Sequence, residues 1–114
     1  MLDNPQMTGR YRPFVTDYLA PAGYTPRHVV SVDLADEGIL QNNAGTWKGK
    51  IELSLDHHKS NSGYAGAYCA MPEKASCGEV ILLLAKALGV AVDLELATLL
   101  YIAVSTDSGC FRYK

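Results

Sequence analysis

The stretch Ile51-Glu52-Leu53-Ser54-Leu55-Asp56-His57-His58 decides the reading of the chain. Residues 51–55 form a short, largely apolar run of strand length, and it passes directly into a carboxylate and two imidazoles. A charged triplet is thereby set at the carboxyl end of a strand. Upstream, His28-Val29-Val30-Ser31-Val32-Asp33-Leu34 is short, β-branched and nearly continuous in apolar character. That pattern predicts a central strand covered on both faces, with Asp33 at or near its C-terminal end. Between the two, residues 41–50, QNNAGTWKGK, are rich in Asn and Gly and read as loop or turn.

Downstream of the triplet the chain reads as a polar loop through Pro72. Residues 76–88 then set Val80, Leu83, Leu84, Ala87 and Leu88 on one stripe and end at Gly89, which predicts a helix with a glycine C-cap. A second helix is expected from Leu94 to about Val104, N-capped by Asp93 with Glu95 in its first turn. It should break into the polar turn Ser105-Thr106-Asp107-Ser108-Gly109. Prolines 5, 13, 21 and 26 fall in residues 1–27, which read as a connecting region holding at most a short helix such as residues 14–19. Strands alternating with helices predict an α/β fold, a largely parallel sheet with crossover helices. The whole of 1–114 reads as a single domain, its chemistry carried by residues 28–114. In such sheets ligands collect at the carboxyl ends of strands.

Composition narrows the function. With 48% hydrophobic and 19% charged residues among 114, the chain is that of one ordinary globular domain. Ten Lys and Arg against twelve Asp and Glu leave a net charge of −2, so no broad basic face for duplex nucleic acid is expected. Three cysteines without a C-x-x-C pair signal neither a disulfide framework nor a thiolate zinc site, and reduced thiols fit a cytoplasmic protein. The N-terminus lacks the apolar segment of a signal peptide, and no apolar run approaches the ~18 residues of a membrane span.

Asp33, Asp56, His57, His58 and Asp107 each lie just past an apolar element, so they can meet in one cleft. Carboxylate oxygen and imidazole nitrogen without sulfur suit Mn²⁺, Fe²⁺, Co²⁺ or Zn²⁺ in a catalytic role. Several carboxylates exceed the need of one ion and suggest two, bridged by an aspartate at ~3.5–4 Å, an arrangement that serves phosphoryl chemistry. Neighbouring side chains in extended backbone point oppositely, so one imidazole can ligate while the other faces a phosphate. Lys59, Ser60, Asn61 and Arg112 offer donors for the phosphate oxygens. Blander readings stand beside these: the triplet as a solvated loop, Asp107 as a turn aspartate, Asp36 as a cap, His28 as surface, and Tyr64, Tyr68, Tyr101 and Tyr113 as packing residues with a polar tip.

Three blocks in order, S-V-D-L-A-D at 31–36, L-D-H-H-K-S-N at 55–61 and S-T-D-S-G-C-F-R-Y at 105–113, resemble the second, third and fourth motifs of the DHH phosphoesterase family. The S-N after the histidines and the last block are similar to the branch that degrades short oligoribonucleotides and dephosphorylates phosphoadenosine phosphate. The resemblance implies a Rossmann-like DHH domain in which Asp33 bridges two manganese ions, His57 and Asp107 ligate one of them, and His58 faces the substrate phosphate. Asp56 would orient its histidine neighbours. Ser60 and Asn61 match the branch's loop, and Arg112 follows from charge and location. The substrate class implied is a small nucleotide or short oligonucleotide. The family's first motif, a histidine followed by D-x-D, is missing, since no D-x-D occurs in the chain. Its glycine-rich C-terminal substrate domain is missing too, which makes the chain read as a portion of a longer enzyme. Three alternatives follow: a catalytically incomplete nucleotide- or metal-binding fragment, a relative of manganese inorganic pyrophosphatases, or a remnant that self-associates, as in a homodimer.

Overall fold

The computed structural model describes Met1, residues 9–40 and residues 42–113. Pro5 of the connecting region and Gln41 of the Asn- and Gly-rich loop lie outside them. Three strands, β1 (Val30–Val32), β2 (Leu53–Asp56) and β3 (Ala67–Ala70), form one parallel sheet in the order β1-β2-β3. The helices are α1 (Arg12–Val15), α2 (Cys77–Ala87) and α3 (Leu94–Asp107). This is a small α/β fold. None of its described helices is long and apolar enough to cross a membrane.

β2 is the organising strand because it is paired on both sides and alternates cleanly. Leu53 and Leu55 point to one face, where Leu55 joins Cys77 and Val80 in the core, with Leu53, Cys69, Met71 and Ile81 packed around them. Ser54 and Asp56 point to the other and are wholly buried at 0% exposure. There the cover is the loop that follows, through Asn61 and Tyr64. The sheet therefore has a greasy helix side and a polar loop side.

Several expectations shift here for physical reasons. β1 is an edge strand rather than a doubly covered central one: α2 lies over β2, which leaves Val30 and Val32 about half exposed, at 52% and 50%. Among the described residues no α-helix crosses from β1 to β2. The 3-10 turns Glu37–Ile39 and Asn42–Trp47 make that link, the first capped by the Asp36 carboxylate on the Gly38 N–H. Inside the expected polar loop sits β3, whose register sets Ala67 to Ala70 against Leu53 to Asp56.

The buried face of α2 is Cys77, Gly78, Val80 and Ala85, not the Leu83–Leu84–Leu88 side, which is exposed. Gly78 explains the rotation. A Cβ there would stand 3.0 Å from Ala103 Cβ and 3.4 Å from Val104 Cγ2, so this glycine is where α3 closes onto α2. α3 also runs three residues beyond Val104, to Asp107. The hydroxyls of Ser105 and Thr106 donate back to the Ile102 carbonyl, so the polar run continues the helix instead of ending it. Gly89, at φ 69°, is in the left-handed conformation expected of the residue after α2.

The core also sets the chemistry of one thiol. Burial pushes Cys77 up to about 11, and its S–H donates to the Leu55 carbonyl at 3.2 Å. Thiolate is the reactive form, so iodoacetamide at about pH 8 should modify the exposed Cys110 and half-buried Cys69 but spare Cys77 until the chain unfolds. Equal rates at all three, followed by mass spectrometry of peptides, would contradict this packing.

Candidate metal centre

The site is assembled at the carboxyl ends of β1 and β2 and the C-terminal end of α3. Asp33 follows β1 directly and takes φ 60°, a left-handed backbone that few residues other than glycine adopt but that Asp tolerates. Its N–H donates to the Leu55 carbonyl at 2.9 Å, so the ladder continues one residue past the strand before the chain turns. Asp107 ends α3, where its charge adds to the negative end of the helix dipole. Nothing in helix stability favours a carboxylate there; a nearby cation would.

His57 is the meeting point. Its Nε2 lies 2.9 Å from Asp107 Oδ2 and 3.4 Å from Asp33 Oδ1. Its Nδ1 lies 3.1 Å from the Lys74 carbonyl, which can only accept, so Nδ1 carries the proton. In the neutral ring, Nε2 then turns a lone pair toward two carboxylates. That nitrogen is buried and, among the described residues, makes no hydrogen bond, although the Asp107 oxygen lies 2.9 Å away.

His58 faces elsewhere. Its Nδ1 lies 2.7 Å from Asp56 Oδ1 and 3.8 Å from Asp33 Oδ1, and its ring is tilted 52° to that of His57 at 4.6 Å between centroids. The hydrogen bond to Asp56, more than the charges of Asp33 and Asp107, raises the His58 pKa against the opposing effect of burial. Asp56 is the anchor of the triplet: it accepts from His57 N–H at 2.8 Å, His58 Nδ1 at 2.7 Å and Asn61 Nδ2 at 2.7 Å. Burial alone would push its carboxyl up, but these donors, Asn61 first, outweigh it and hold the carboxyl low. Burial, and then the Asp107 charge, raise Asp33 despite the two imidazoles.

The structure thus brings Asp33, Asp56, His57, His58 and Asp107 together. Asn61 bonds Asp56 and, at 3.4 Å, the Leu34 carbonyl, while Ser60 is exposed on the same loop and Arg112 on the turn after α3. His28 lies apart, exposed and 2.9 Å from Glu52. Two participants escaped the sequence reading: the Lys74 carbonyl, invisible because backbone groups carry no sequence signal, and Tyr64, whose hydroxyl bonds the Leu34 carbonyl at 2.9 Å.

The donor set fits a divalent cation. One ligand atom each from Asp33, His57 and His58 lie within 4.8 Å of one another, and Asp107 joins through His57. Two repelling carboxylates and an orphaned imidazole nitrogen form an arrangement that a positive charge at their centre would satisfy. The sequence matches no protein-family model and no curated protein.

Proposed function

We propose that the chain carries the metal-binding core of a DHH-type phosphoesterase that hydrolyses phosphate esters of small nucleotides or short oligonucleotides. The observation that supports this reading is the buried Nε2 of His57, which lies between the carboxylates of Asp33 and Asp107 and makes no hydrogen bond among the described residues. Asp33, His57 and Asp107 would hold manganese, with Asp33 as the bridging ligand if two ions bind. Bound ions of this kind supply an activated water near neutral pH and a clamp on the attacked phosphate.

The chain's own groups divide the remaining work. The Lys74 carbonyl keeps the proton on His57 Nδ1 and so keeps Nε2 available as a ligand. Asp56 keeps a proton on His58 Nδ1 and favours the imidazolium. His58 Nε2 then carries a proton that it can donate to a phosphate oxygen or to the leaving oxygen. Ser60, Asn61 and Arg112 are the proposed phosphate donors, and the exposure of Ser60 and Arg112 leaves both within solvent reach.

Phosphoadenosine phosphate and a diribonucleotide, incubated with manganese and the full-length enzyme of which the sequence reads as a portion, test the reading. Release of phosphate or mononucleotide is expected, with His58→Ala slower by roughly 10²–10⁴-fold, the usual worth of a general acid. Folded, manganese-treated full-length enzyme that turns over neither substrate would sink it, and turnover of pyrophosphate alone would redirect it to the pyrophosphatases.

A further inference from the structure

The left-handed backbone of Asp33 needs an agent that holds it, since such conformations persist at non-glycine residues only where the surroundings over-determine them. On the far side of the residue the chain is fastened at Leu34, whose carbonyl accepts from the Tyr64 hydroxyl at 2.9 Å. The Asn61 amide reaches the same carbonyl only at 3.4 Å and spends its better bond, 2.7 Å, on Asp56.

Tyr64 is itself fixed in place. Ser31 and Ser54 are register partners on β1 and β2, and their hydroxyls lie 2.6 Å and 3.1 Å from the phenol oxygen. A phenol has one proton and two lone pairs. The Leu34 carbonyl can only accept, so the proton goes there, and the two serines donate to the phenol oxygen. Every partner is satisfied, including the wholly buried Ser54. The sheet thus aims a phenol at the residue next to Asp33.

We propose that Tyr64 is the positioning residue of this centre, locking Asp33 into the left-handed conformation that presents its carboxylate to His57. The proposal rests on reading the cluster as a metal centre, and it assigns Tyr64 no contact with metal or substrate. Partners behind a ligand typically govern 10- to 100-fold in metal affinity.

Tyr64→Phe removes the hydroxyl and keeps the ring. Calorimetric titration should show manganese affinity about 10-fold or more below wild type. In the metal-free protein, the strong intraresidue amide-to-Hα cross-relaxation of a left-handed Asp33 should weaken in the variant. Orphaning Ser31 and Ser54 also costs stability, so the variant Ser31→Ala/Ser54→Ala/Tyr64→Phe separates the two effects: it should regain melting temperature without regaining affinity.

Wild-type affinity in Tyr64→Phe, or recovery of affinity in the triple variant, would reduce Tyr64 to a packing residue and overturn the proposal. If wild type itself binds no manganese, the metal reading fails. The cross-relaxation at Asp33 then still decides whether Tyr64 positions it.

Discussion

Alanine at His57 or at Asp107 is expected to abolish saturable manganese binding while leaving the chain folded. Nε2 of His57 lies 2.9 Å from Asp107 and 3.4 Å from Asp33 without a hydrogen bond among the described residues, and the alanine gives up the Nδ1 bond to the Lys74 carbonyl, worth about 1 kcal/mol. Asp107 sits at the end of α3, where its removal relieves an unfavourable interaction with the helix dipole. Losing a ligand should cost more than the 10- to 100-fold that a supporting group costs. Asp33→Asn is the third member of the series, because Asn tolerates the left-handed backbone as Asp does. Calorimetry reads the affinity and circular dichroism the fold. Retention of near-wild-type affinity by folded His57→Ala and Asp107→Ala proteins would mean that the ion, if any, sits elsewhere.

Asp56→Ala should have the largest effect on stability, about 1–3 kcal/mol for each buried donor it leaves unsatisfied. The carboxylate is wholly buried, and its loss strands the donors of Asn61, His57 and His58 at once. Against the roughly 5–15 kcal/mol that holds a domain together, this is a sizeable share of the stability. Urea titration measures this, and a midpoint unchanged within error would show that Asp56 carries no such role.

The same pair has a pH signature with two sides. His58 is raised above its ordinary 6.5, so its contribution is complete below 6.5 and is lost as pH climbs through the higher folded value. Asp56 is lowered below its ordinary 3.8, so its contribution is present above 3.8 and is lost as pH falls through the depressed folded value. Between these limits the pair stabilises fully, and in Asp56→Asn the alkaline decline due to His58 should shrink in the melting-temperature profile, leaving the smaller part due to Asp33 and Asp107.

The site was more legible in the sequence than the fold around it. Asp33, Asp56, His57, His58 and Asp107 announce themselves because charged groups directly after apolar runs are expensive without a purpose. Their convergence needed only that the runs be neighbours. The face of α2 was not legible, since Leu83 and Leu84 are as apolar as Val80 and only the close approach of α3 at Gly78 selects which side is buried. β3 was hidden because Ala67-Tyr68-Cys69-Ala70 carries no β-branched residue and becomes a strand through pairing with β2. The end of α3 was misplaced because Ser, Thr and Asp read as a turn unless their hydroxyls bond back into the helix. Tyr64 looked like an ordinary aromatic, for its role depends on a serine on each of two strands falling in register.

The edge position of β1 has a consequence for how the site lives in time. Asp56, His57 and His58 hang from a strand secured on both flanks, whereas Asp33 hangs from a strand secured on one, with both of its valines half open to water. Local opening begins where such protection is thinnest. The centre therefore joins a durable half to a labile one. Any cation held between His57 and Asp33 would act as a clasp across that seam, tightening the outer strand each time it binds and loosening it each time it leaves.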